Sequence, residues 1–223
     1  MELTKALQIQ PGVTAVIGGG GKTTLLYALA RKLQSAGRVI VCTTTRILPP
    51  PHLPCVTGGG EAGLRDALAE NPVVCAAETA ENGKLKAPGV SFDALLSLAD
   101  FILVEADGSK GLPMKAHAAH EPVIPPEANQ TICVVGASGF GLPVSKAAHR
   151  PELYAARLGV TLQTMITPEL AADFLNFERL HTRVLVNQCD APQLQALARR
   201  FAARVESPVC IGALQKEWIE CLY

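Results

Sequence analysis

Charge is scarce in this chain. Asp, Glu, Lys and Arg make up 18% of its 223 residues, and 20 basic side chains balance 20 acidic ones to a formal net charge of zero. With no basic surplus, nothing pulls the chain toward nucleic acid or an anionic membrane surface; the expected partner is a small molecule or another protein. No long apolar run follows the opening Met-Glu-Leu-Thr-Lys. Neither a signal peptide nor a membrane span is expected, and the expected location is the cytoplasm. The 7 cysteines include no C-x-x-C pair, and several fall inside apolar runs. They read as reduced core residues and not as a disulfide framework. There is no internal repeat. What the chain has in quantity is hydrophobic residues, 48% of the total. That is enough for a single α/β domain over residues 1–223 with one sizeable core.

Short apolar runs recur between turn residues. Strands are expected at 13–17, 39–43, 73–77, 101–105, 131–136, 184–187 and 209–213. Their near-continuous Val, Ile, Leu and Cys content suits strands covered on both faces, as in a parallel sheet. Helical periodicity is expected at 23–36, 61–70, 91–98, 151–158, 168–175, 191–204 and 215–221, the first closing at Gly37. Alternation of the two predicts a doubly wound, mostly parallel sheet. Glu81-Asn82-Gly83-Lys84 marks a hairpin turn, and so a small antiparallel insert between 73–79 and 84–87. Segment 107–127 is a long stretch without periodicity, and such loops in compact domains are functional or mobile.

The segment that carries most chemistry is Ile17-Gly18-Gly19-Gly20-Gly21-Lys22-Thr23-Thr24. It joins the first strand to the first helix. Side-chain-free residues let backbone N–H groups curl round an anion, and the helix start adds its positive dipole end. Lys22 reaches terminal phosphates, and the Thr23 hydroxyl is placed to ligate Mg²⁺. The expected ligands are ATP or GTP with Mg²⁺, in a sheet of the P-loop NTPase type. The first glycine of G-x-x-x-x-G-K-[ST] is replaced by Val16, leaving G-x-x-G-K-T-T from Gly18 to Thr24. That shorter form resembles the loop of Mur-type amino-acid ligases, and also the deviant loops of metalloenzyme-maturing nucleotidases.

Ligands in open α/β sheets bind beyond the carboxyl ends of the strands. Glu105-Ala106-Asp107-Gly108 follows one strand. Glu105 or Asp107 is the expected metal acid, both remaining open, and Gly108 is a γ-phosphate amide donor. Asn187-Gln188-Cys189-Asp190 follows another and resembles the guanine-reading N-K-x-D, with Asn187 and Asp190 at the matching positions and Gln188 in place of lysine. Asp190 also reads as a helix cap before Pro192. Thr43-Thr44-Thr45-Arg46 offers hydroxyls for metal or phosphate and, in Arg46, a cation for transition-state charge. Lys110, Lys115, His117, His120 and Glu121, together with His149 and Arg150, form a candidate substrate set. A metal site on His117, His120 and Glu121, or a solvated loop, are the rival readings.

Taken together, Gly18–Thr24, Thr43–Arg46, the run from Val104 to Lys115, His117–Pro122, His149-Arg150-Pro151-Glu152 and Asn187–Asp190 resemble the selenium-dependent hydroxylase accessory proteins, the YqeC family. The resemblance implies a role in maturing molybdenum hydroxylases that carry selenium, with such an enzyme or its cofactor as partner. It supplies a pathway and no reaction. Three functions stay open: a nucleoside triphosphate hydrolase or switch, a phosphotransferase or ligase with its acceptor at 107–121, and a non-catalytic nucleotide sensor.

Overall fold

A computed structural model describes residues 2–222. The chain runs α1 (Leu3–Ala6), β1 (Gly12–Gly18), α2 (Lys22–Leu33), β2 (Val39–Thr43), β3 (Cys55–Thr57), α3 (Gly60–Glu70), β4 (Val73–Thr79), β5 (Leu85–Lys86), α4 (Phe92–Leu98), β6 (Phe101–Glu105) and β7 (Met114–Lys115). It continues through β8 (Ala128–Gly136), α5 (Val144–Ala147), β9 (Ala148–His149), α6 (Pro151–Leu158), α7 (Pro168–Glu178), β10 (Arg183–Asn187), α8 (Pro192–Ala202), β11 (Val209–Ala213) and β12 (Trp218–Leu222).

The main sheet has the order β12-β11-β10-β8-β1-β6-β2-β4-β3, with β5 paired to β4. β11 and β12 pair antiparallel, as do β4 and β5; the other neighbours are parallel. This is the expected α/β architecture, and the predicted hairpin insert is the β4–β5 pair, Glu78 opposite Lys86.

Alternation along β1 divides the core. Val16 faces α1 and α2, against Leu25, Leu26, Leu29 and Leu33. Ala15 and Ile17 face the other way, toward Tyr154 of α6, Phe174 of α7 and Phe201 of α8. Val13 packs on that same side against Leu64 and Leu68 of α3 and Leu95 of α4. Strands apolar on both faces are the reason the sheet is parallel and covered by helices.

Some expectations are corrected. Residues 215–221 do not form a helix. A short turn over Leu214–Lys216 and a left-handed Glu217 (φ 52°) reverse the chain, so that β12 lies antiparallel on β11. Five of the cysteines are free thiols, but Cys210 and Cys221 form a disulfide, because that register sets them directly opposite each other. α2 ends at Leu33 rather than near Gly37, whose amide still donates to the Leu33 carbonyl. Segment 107–127 is not a solvated loop throughout, since Met114, Lys115, Ala116 and His117 are buried and β7 pairs with β9. Among the described residues no helix is long and apolar enough to cross a membrane.

The topology fixes where a site can lie. β6 and β8 flank β1 on opposite sides. The connection between them therefore starts at the carboxyl edge of the sheet and passes over the end of β1, where the glycine loop is.

Candidate functional site at the end of the first strand

β1 ends at Gly18, and α2 begins at Lys22 behind Gly21 in the left-handed region (φ 116°). Gly20 is left-handed too, at φ 70°. A methyl group there would collide with the backbone of Gly136, so only glycine fits. The glycine run is thus required both by the backbone path and by the closeness of β8. The amides of Gly18, Gly19 and Gly20 are engaged, with Asp107 Oδ2 (2.8 Å), the Val134 carbonyl (2.9 Å) and the Leu112 carbonyl (3.1 Å). Beyond them the first turn of α2 presents its own amides, which helices leave unpaired.

Lys22 is 4% exposed and points back along the loop. Its Nζ donates to the Gly18 carbonyl (2.8 Å) and to Ser109 Oγ (3.2 Å), and lies 3.0 Å from Asp107 Oδ1 and 3.9 Å from Glu105 Oε1. The hydroxyl of Thr23 donates to Glu105 Oε2 at 2.8 Å. Burial pushes the Glu105 carboxyl above its ordinary range, against the pull of Lys22 and the Thr23 hydroxyl. Asp107 is fully buried. Burial drives its carboxyl up, but the His117 hydrogen bond and the charges of Lys22 and Lys115 outweigh that and hold it below the usual range.

Behind Asp107 runs a chain of ion pairs. His117 Nε2 is 2.6 Å from Asp107 Oδ2, and its Nδ1 is 2.7 Å from Glu178 Oε2 at the end of α7. Arg157 of α6 pairs with Glu178 and donates to the His117 carbonyl. Burial lowers the His117 pKa, but the two carboxylates more than reverse this and raise it. Lys115, with its side chain wholly buried, donates to the Gly108 carbonyl and to Glu121 Oε2 (2.8 Å); Arg150 Nε takes Glu121 Oε1 at 2.7 Å. Arg150 also lies 3.3 Å from His120 Nε2.

The predicted residues divide into groups. Gly18, Gly19, Gly20, Gly21, Lys22, Thr23, Glu105, Asp107 and Gly108 come together at the end of β1. Thr24 is exposed on the first turn of α2. Asn187 joins them, but through the loop backbone: its Nδ2 donates to the Gly20 carbonyl (2.8 Å) and its Oδ1 accepts the Leu214 amide (3.1 Å). Asp190 is exposed, and its side chain does not cap α8, whose N-cap is Ala191. Gln188, left-handed at φ 66°, turns to accept from Ser138 Oγ at 2.6 Å. Thr43 Oγ1 donates to the Glu105 carbonyl (2.8 Å), so that hydroxyl braces β2 against β6. Arg46 stands exposed on the loop after β2. Lys115 and His117 are buried in ion pairs, whereas Lys110 and His120 are exposed. Among the described residues no cluster of three or more His, Cys, Asp and Glu is arranged to hold a metal on its own, so His117, His120 and Glu121 do not form one.

Ser109, Leu112, Arg157 and Glu178 were not singled out in the sequence. Ser109 and Leu112 lie in the flagged loop. Arg157 and Glu178 sit in helices whose only signal was periodicity, and nothing local marks them.

The profile of the family described as YqeC protein matches residues 14–152. A protein of Escherichia coli (strain K12), described as "Uncharacterized protein YqeC", is 37% identical over 162 residues. The match covers 69% of this chain and 63% of that protein, so the chain spans less than two thirds of the curated relative. Among solved structures, the signal recognition particle 54 kDa protein from Aeropyrum pernix K1 in complex with GDP is similar, with a TM-score of 0.45 and 13% identity over 100% of this chain and 46% of that one.

Proposed function

The chain belongs to the YqeC family, and from that premise we propose that it binds a nucleoside triphosphate with Mg²⁺ and hydrolyses it, as an accessory protein in the maturation of selenium-dependent molybdenum hydroxylases. One observation carries the nucleotide reading. Lys22, at the start of α2 directly behind a left-handed glycine turn, holds its ammonium group inside the loop within 3.0 Å of Asp107. An amine kept there by carboxylates and a carbonyl is pre-positioned to exchange those partners for phosphate oxygens.

Mg²⁺ fits the donor set. The Thr23 hydroxyl and the Glu105 carboxylate meet at 2.8 Å at the exposed first turn of α2, both oxygen ligands of the hard type this ion takes. Burial is the main cause of the raised Glu105 pKa, and a cation bound there would offset that cost to the carboxylate. We assign Glu105 as the metal acid. Asp107, buried against Lys22, His117 and the Gly18 amide, is assigned to hold the loop and the lysine. Bound metal would neutralise charge on the phosphates.

The other groups act by position. The first-turn amides of α2 and Lys22 grip the polyphosphate. Asn187 ties the Gly20 carbonyl to the Leu214 segment, coupling the loop to the strand ends where a base would lie. The exposed Asp190 carboxylate is the group for reading guanine N1–H and N2–H₂. Ser109 and Leu112, which now engage Lys22 and the Gly20 amide, must yield to phosphate. Gly108 adjoins Ser109 and Thr43 braces the Glu105 carbonyl, so a triphosphate would reorganise this rim and hydrolysis would release it, with Arg46 on the loop after β2 as the cation for transition-state charge. A partner protein would read the difference.

The test is phosphate release from MgATP and MgGTP, alone and with selenium or molybdopterin compounds. Release by the protein alone supports a hydrolase. Nucleoside diphosphate formed only with a small acceptor rejects a pure switch.

A further inference from the structure

Two segments outside the glycine run itself, 108–121 and 148–152, meet in the fold. β7 and β9 form a parallel pair with Met114 opposite Ala148 and Lys115 opposite His149, and the Ala116 amide donates to the His149 carbonyl at 3.0 Å. The pairing gathers Lys115, His149 and Arg150 on the same rim as Ser109 and Lys110.

The charges there do not cancel. Glu121 spends one oxygen on Lys115 and the other on Arg150. Asp107 is shared among Lys22, His117 and, at 3.7 Å, Lys115. Lys110 is exposed and has no acidic partner among the described residues. Two of these cations are held in backbone conformations that non-glycine residues rarely take, Lys110 at φ 52° and Arg150 at φ 64°. Nδ1 of His149 is buried and has no hydrogen-bond partner among the described residues. Burial, followed by the charges of Lys115 and Arg150 and, more weakly, Lys110, lowers the His149 pKa from its ordinary value. An exposed cation without an ion pair, Lys110, and a second that shares its only carboxylate, Arg150, beside a ring nitrogen without a partner are an arrangement that an oxyanion completes.

We infer that Lys110, His149 and Arg150 form a second anion site, which holds an oxyanion-bearing small molecule that, when bound, takes the γ-phosphoryl group in place of water. The acceptor role rests on the polyphosphate reading of the glycine loop; the anion site itself does not. Lys22 and Ser109 connect the two places, since the Lys22 ammonium reaches Ser109 and Lys110 is the next residue. An oxygen lone pair of the acceptor forms the new bond to the γ-phosphorus. The bond from that phosphorus to the β–γ bridging oxygen breaks, and its electron pair leaves with the nucleoside diphosphate. An acceptor oxygen that is already anionic has no proton to lose. The step then needs no general base, in keeping with His117 being locked between two carboxylates.

The experiment is calorimetric. The full chain is first saturated with Mg²⁺ and a non-hydrolysable triphosphate analogue, and that titration reads the nucleotide site alone. Inorganic phosphate is then titrated into the saturated protein. One phosphate site is expected, weakened about tenfold or more by Arg150→Gln and by Lys110→Gln, the latter an exposed position with no fold to disturb. Phosphate binding to nucleotide-free Lys22→Met protein should show the same sensitivity to Lys110→Gln. Absence of phosphate binding to the saturated protein, or binding that both substitutions leave unchanged, overturns the anion site. Failure of the analogue to bind overturns the nucleotide reading instead, and the Lys22→Met titration still decides the anion site.

Discussion

Lys22→Met removes a buried cation and leaves its partner in place. The side chains of Lys22 and Asp107 are 3% and 0% exposed, and Nζ lies 3.0 Å from Oδ1. At an effective dielectric constant near 20, a pair at that distance interacts by about 5.5 kcal/mol. Asp107 keeps the His117 ring at 2.6 Å, the Gly18 amide at 2.8 Å and Lys115 at 3.7 Å, so the loss is smaller than that figure. Breaking one partner of a buried pair costs about 3–5 kcal/mol, and these remaining contacts put the substitution near the lower end, about 3 kcal/mol. Asp107→Asn should also cost about 3 kcal/mol, because Lys22, Lys115 and His117 lose one buried carboxylate partner together. The double variant removes both charges, and the two losses should fail to add by about 1.5 kcal/mol or more. Denaturant unfolding of the protein, the two single variants and the double variant measures this. Losses that add to within about 0.5 kcal/mol would refute the reasoning, because independent sites add that closely. A consequence follows for binding assays: a Lys22 variant reports on phosphate binding only after its unfolding curve shows that it is folded.

Gly20→Ala should be far more destabilising than Gly111→Ala. A methyl group on Gly20 meets the Gly136 backbone, while one on Gly111 meets nothing within 4 Å, and both residues have positive φ. Gly111→Ala should cost about 1 kcal/mol from backbone strain alone, and thermal melts that rank the two equally would sink the close-packing argument. The raised His117 pKa predicts a pH dependence. Its stabilisation is complete below the ordinary histidine value of 6.5 and is lost as pH rises through the higher folded value. Unfolding free energy should therefore fall on the alkaline side in the native protein, and His117→Gln should flatten that decline; an unchanged slope would show that the ring does not carry it. Asp190→Asn should shift preference from guanine toward xanthine nucleotides in competition binding, and an unmoved preference would remove Asp190 from the base site.

The architecture was legible because it rests on local signals. Runs such as Val39–Thr43 and Phe101–Glu105 are apolar on both faces and sit where expected. The glycine loop was legible for a similar reason, since left-handed turns and close backbone approach leave few other residues possible. The last segment was not. Gln215 to Cys221 has helix-forming residues at helical spacing, but Glu217 breaks to the left-handed region and the open edge of β11 recruits Trp218–Leu222 as a strand. Tertiary pairing overrode propensity there. The same pairing set Cys210 against Cys221, at a separation that no short motif announces. The rear of the site was hidden for another reason. The sequence marks His117 as a possible ligand, yet what fixes it is Glu178, 61 residues further on. The sequence marks Asn187 as a base reader, yet its amide holds the Gly20 carbonyl, 167 residues away. Contacts of such range leave no trace in spacing.

The central claim is that the amides at the start of α2 and the ammonium of Lys22 hold a polyphosphate. Calorimetric titration of MgATP and MgGTP into the full chain, beside a Lys22→Met protein shown to be folded, tests it most directly. The account predicts saturable binding of at least one triphosphate, abolished by the substitution. No binding of either nucleotide, or equal affinity in the two proteins, would contradict it.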